Sequence, residues 1–105
     1  MKNVIFHPLA EQELIDATAY HEEQKPGLGL EFLGEVEDAV NFLMLYPEAG
    51  SKVRSSVRRV ILPKFSYSLL YRILEGDLIR ILAVAHHKRR TQYWVEREQQ
   101  SKIRC

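Results

Sequence analysis

The stretch Phe65-Ser66-Tyr67-Ser68-Leu69-Leu70-Tyr71-Arg72-Ile73-Leu74 runs through Glu75-Gly76-Asp77 into Leu78-Ile79-Arg80-Ile81-Leu82-Ala83-Val84-Ala85-His86. Side chains alternate across a strand, so Tyr67, Leu69, Tyr71 and Ile73 share one face and Ser68, Leu70, Arg72 and Leu74 the other. Both faces are largely apolar. That predicts a strand in the middle of a sheet, with a helical layer on one side and a further layer or a partner on the other. Glu75-Gly76-Asp77 supplies turn residues, so the two runs read as an antiparallel hairpin. Val57 to Leu62, just upstream, reads as a third strand.

Before the sheet the hydrophobic period is helical. Val4-Ile5-Phe6 reads as a short opening strand, and Pro8, suited to the first turn of a helix, starts the next element. A helix from Pro8 to about Gln24 places Ala10, Leu14, Ala17 and His21 on one face and Glu11, Glu22 and Glu23 toward solvent. Lys25-Pro26-Gly27 breaks it. A second helix, from about Leu28 to Tyr46, aligns Phe32, Val36, Val40 and Leu43, with Glu31, Glu35, Glu37 and Asp38 off that face, and ends before Pro47-Glu48-Ala49-Gly50. After Lys88-Arg89-Arg90 a short helix from about Thr91 to Glu98 would set Tyr93 and Arg97 one turn apart. The expected class is α+β, a helical hairpin packed on a twisted antiparallel sheet.

The charge is split along the chain. Before Ser51 two cations stand against ten carboxylates, and from Ser51 onward thirteen stand against four, so a formal +1 hides halves of about −8 and +9. A basic half on a small protein points to an anionic target, such as RNA, DNA or an acidic protein surface. At 105 residues with 46% apolar content, residues 1–105 are expected to form one domain with a small core. The apolar run before Pro8 is too short for a signal region or a membrane span, so a soluble, cytoplasmic protein with no membrane partner is expected. Cys105 is the sole cysteine and excludes an internal disulfide.

Of the candidate sites, several have plain explanations. His86 and His87 point to opposite strand faces and are poorly placed to share an ion, so no metal site and no cofactor is expected. Gly27-Leu28-Gly29 lacks the strand that a phosphate loop requires and reads as a helix-breaking turn. Glu22-Glu23 and Glu35-Glu37-Asp38 lie on polar helix faces and read as solvated charge. The basic, aromatic group of Arg58, Arg59, Lys64, Lys88, Arg89, Arg90, Tyr93, Trp94 and Arg97 is the candidate target-binding set, combining cations with stacking rings. Its alternative is a solubilising surface, with Trp94 as a core lid and Tyr71 in the interior.

Taken in order, the opening strand, the Pro8-started helix, Lys25-Pro26-Gly27-Leu28-Gly29, Phe32-Leu33-Gly34-Glu35-Val36-Glu37, Pro47, Arg58-Arg59-Val60, Phe65 to Tyr71, Ala83 to Arg90, Tyr93-Trp94 and Arg97 resemble the RelE/ParE superfamily. These are toxins of type II toxin–antitoxin modules, often called plasmid stabilisation proteins. The likeness implies an α+β toxin fold, a cognate antitoxin and a toxin–antitoxin hetero-oligomer. RelE-type members are ribosome-dependent mRNA endonucleases, whereas ParE-type members bind and block DNA gyrase without being enzymes. In the nuclease branch Arg59, His87 and Tyr93 would be the catalytic set, but Ser68, Ile61 and His87 stand where that branch has Arg, Lys and Arg. The long hairpin and the Lys25-to-Gly29 turn resemble the ParE side. The expected function is therefore a gyrase-inhibiting toxin, with a ribosome-dependent mRNA interferase as the alternative and an inactive relic or basic binding domain as the third reading.

Overall fold

Strand gives way to helix at Pro8. The computed structural model describes residues 3–88 and 93–97, and in it β1 (Asn3–Phe6) is followed by α1 (Pro8–Gln24). His7 caps that helix, its buried Nδ1 accepting from Leu9 N at 3.0 Å, and Pro8 fills a first-turn position whose amide would have no helical partner. The chain then reverses into α2 (Leu28–Leu45). Gly27 takes the left-handed φ of 89° that the reversal needs. At Gly29 a Cβ would sit 2.8 Å from Thr18 O, so hydrogen alone lets the two helices touch there.

After α2 come β2 (Ser51–Arg54), β3 (Val57–Ile61), β4 (Tyr67–Leu74) and β5 (Leu78–His86), in a sheet of order β1-β5-β4-β3-β2. β4 is the middle strand, as its two apolar faces require. Its neighbours β3 and β5 pair with it antiparallel, while β1 adds parallel to the far side of β5. The helical hairpin thus carries the chain from one sheet edge to the other. β2 is an addition to the expected strands: in Ser51-Lys52-Val53-Arg54 only Val53 is half-buried, because an edge strand needs no second apolar face. The link from β4 to β5 is a short 3₁₀ turn, Glu75–Asp77, with Gly76 at φ 74°.

Packing follows the strand period, with an interruption in β5. On the inner face Leu69, Tyr71, Ile79, Ile81 and Val84 meet Ala10, Ala17, Phe32, Val36 and Leu43 of the helices. Between Ile81 and Val84 a bulge opposite Leu70 and Tyr71 turns both Leu82 and Ala83 to the outer face. There Leu82, Ala83, Leu70 and Val57 pack under Trp94. The second apolar face of β4 is therefore covered by the chain's own C-terminal segment. Of the helix expected over Thr91 to Glu98, residues 95–97 are helical, whereas Thr91, Gln92 and Glu98 lie outside the described residues.

Candidate functional site

The cations of the basic half divide by strand face. Arg58 lies on the inner side of β3, where its guanidinium donates to Glu48 O at 3.0 Å and Gly50 O at 2.9 Å. Beside it the buried Tyr71 hydroxyl donates to Pro47 O at 2.7 Å and accepts from Gly50 N at 2.9 Å. A side chain at position 50 would strike that hydroxyl, since a Cβ would lie 2.7 Å from it. Burial pushes the Tyr71 phenol above its ordinary pKa and keeps it a neutral donor. Arg58 thus fastens the loop between α2 and β2. Arg59, on the outer face, is exposed, as are Lys64 and Lys88. Arg89 and Arg90 lie outside the described residues.

A second polar cluster sits at the edge of β5. The β1 ladder ends where His7 N donates to Ile81 O at 2.8 Å, and the turn into α1 leaves the rest of that edge without a strand. Side chains take its place: Glu13 Oε1 accepts from Val84 N at 2.9 Å, and the Arg97 guanidinium donates to Leu82 O at 2.9 Å. The two side chains also meet each other, Arg97 donating to Oε1 at 3.0 Å and to Oε2 at 2.9 Å. Tyr93 donates its hydroxyl to Oε2 at 2.8 Å and lies with its ring 5.0 Å from the guanidinium carbon. Arg97 is only 8% exposed. Burial disfavours its charged form, yet the bonds and charge of Glu13 outweigh this and hold its pKa above the usual arginine range. Trp94, 4% exposed, is fixed between these contacts and the outer-face cluster.

The histidines take opposite faces, as the alternation requires. His86 packs its ring edge-on to Tyr67, 5.0 Å away. With Glu13, Asp16 and Tyr20 it lines an inner-side pocket of about 320 Å³. His87 is within 2.9 Å of the buried Ser68 hydroxyl on the outer side. No group among the described residues brings together three metal-ligating side chains. Arg59 and His87 share the outer face, while the Tyr93 hydroxyl is engaged by Glu13 of α1. Two carboxylates act beyond what their sequence positions indicated. Glu22 is not merely solvated: its carboxylate accepts from Gly27 N and Gly29 N, each at 3.0 Å, and so caps α2 from α1. Glu13 is the other, and its signal was its place in the stripe Ala10, Glu13, Ala17, where the helical period sets a carboxylate at the edge of an apolar face.

The order of elements matches known proteins. The sequence model for the ParE toxin of the type II toxin–antitoxin system parDE aligns with residues 4–91. The chain belongs to the ParE toxin family. Among solved structures, the chromosomal ParDE toxin–antitoxin system from P. aeruginosa superposes with a TM-score of 0.69 at 20% identity, covering 82% of this chain and 96% of that one. At that identity the likeness speaks for the fold. No curated protein matches the sequence significantly. The matched range spans position 13 and ends before Tyr93, Trp94 and Arg97.

Proposed function

We propose that this ParE-family protein is the toxin of a type II module, that it arrests growth by occupying a surface of DNA gyrase, and that a cognate antitoxin neutralises it. The observation that carries this reading is the engagement of the Tyr93 hydroxyl, which donates to Glu13. A catalytic acid or base must reach the proton it transfers within about 2.6–3.2 Å, and here the Tyr93 hydroxyl is held by Glu13 of α1. Inhibition by occupancy has no such requirement. It needs exposed groups on a rigid support, which Arg59, Lys64 and Lys88 supply. Arg58, Tyr93, Trp94 and Arg97 then hold that surface in place, with part of Tyr93 open to the target.

For the antitoxin, the hairpin offers an apolar groove of about 500 Å³ lined by Leu14, Ile15, Ala19, Leu30 and Leu33. Ile15 is 55% and Leu30 75% exposed, surface that an amphipathic partner segment would cover. No helix among the described residues is long and apolar enough to cross a membrane, and the site of action would be the cytoplasm. Expression should arrest growth, and co-expression with the neighbouring reading frame should relieve the arrest and yield a co-purifying complex. Codon-aligned mRNA cuts by the purified protein in a translation reaction, with gyrase unaffected, would replace this reading with the nuclease one.

A further inference from the structure

Glu13 lies in the acidic half of the chain and holds three groups of the basic half. Its two oxygens accept four hydrogen bonds, from Val84 N, the Tyr93 hydroxyl and two Arg97 nitrogens. A carboxylate offers about four acceptor sites, so this one is saturated. The apolar contacts of Trp94 supply attraction but little direction, whereas a bidentate guanidinium–carboxylate pair fixes geometry. Glu13 is itself anchored twice, by its backbone in α1 and by Val84 N in β5. Residues 93–97 are therefore held to the β5 edge through Glu13.

We propose that Glu13 is the positioning residue of the target-binding segment: it sets where residues 93–97 lie along the β5 edge. This rests on the reading that the segment meets the target. An isosteric amide cannot replace it. Glutamine would bring its NH₂ against groups that are themselves donors and would leave the buried Arg97 charge without a counterion. Asp16, the next carboxylate on α1, is exposed and accepts from Gln12 at 2.9 Å, so Asp16→Asn removes the same charge without touching the segment.

The single tryptophan makes the placement measurable, because Trp94 is buried only while the segment is docked. Acrylamide quenching of its emission, with far-UV circular dichroism for the helices, would be compared in wild type, Glu13→Gln and Asp16→Asn. Breaking a buried ion pair should weaken docking by about 10²-fold. Glu13→Gln should thus keep its helices, show red-shifted and readily quenched emission, and lose gyrase inhibition, while Asp16→Asn matches wild type in both readouts. Wild-type protection of Trp94 in Glu13→Gln would overturn the positioning role. Freed Trp94 with undiminished inhibition would overturn the importance of the segment's placement for target binding. If wild type itself leaves gyrase active, the target is wrong but the positioning role is still decided, because growth arrest becomes the readout: arrest lost in Glu13→Gln supports it and arrest retained contradicts it. Should Glu13→Gln unfold, Tyr93→Phe withdraws one bond from Oε2. Quenching shifted part of the way supports the inference, and unchanged quenching overturns it.

Discussion

On its inner face the sheet is closed by two helices of 17 and 18 residues, whose Phe32 packs in an aromatic layer with His21, Phe65 and Tyr67. On its outer face it is closed by Trp94 and a short segment tied down through Glu13. The first closure is continuous with the main core and cannot open without unfolding the molecule. The second is a few contacts at one edge, the kind of unit that opens locally at a cost below global unfolding. Stability and target binding are thus expected to reside in different closures.

The largest effect should come from the inner face. Phe32→Ala empties a fully buried site and should cost about 3–5 kcal/mol in urea unfolding, with Trp94 emission and helix signal lost together. Separate transitions for the two signals would break the claim that the inner face governs the whole. Tyr71→Phe removes the hydroxyl that holds Pro47 O and Gly50 N and should cost about 1–3 kcal/mol without exposing Trp94. Glu22→Gln weakens the cap on α2 and should cost about 0.5–1 kcal/mol in thermal unfolding.

The contrast between the faces was only partly legible in the sequence. Tyr67, Leu69 and Tyr71 alternating with Ser68 and Leu70 sufficed to make β4 central, and the spacing of Ala10, Leu14 and Ala17 gave α1 its inner face. β2 escaped notice because Val53, which packs on the outer-face cluster, is its lone apolar residue. The β5 bulge was hidden because Ile81 to Ala85 is apolar on both faces, so an extra residue leaves no break in the pattern. That β1 runs parallel to β5 depends on where the hairpin returns the chain. Of the site, the split between basic and acidic halves was readable, but not which cations face inward. Arg58 and Arg59 are sequence neighbours, and strand register alone sends one to Gly50 O and the other to solvent.

The smallest effect is expected from pH. Burial, and then the charge of His86, lowers the His21 pKa below its ordinary 6.5, and its buried Nε2 has no partner among the described residues. The unfolded chain takes up the proton more readily, so stability should be level above 6.5 and decline as pH falls through 6.5 toward the folded value. His21→Phe, which keeps a ring among Tyr20, Phe32, Phe65 and Tyr67, should flatten that slope in melting curves. An unchanged slope would remove His21 as its source.

The most direct test is a gyrase supercoiling reaction without ribosomes, titrated with wild type and with the combined variant Arg59→Ala, Lys64→Ala, Lys88→Ala. These are exposed positions, each expected to alter folding stability by less than about 0.5 kcal/mol. Wild type should stop supercoiling, and the variant, equally folded and with Trp94 still buried, should need a markedly higher concentration to do so. Full supercoiling at saturating wild type, or equal inhibition by the two proteins, would contradict the claim that this chain acts by laying its outward cations on gyrase.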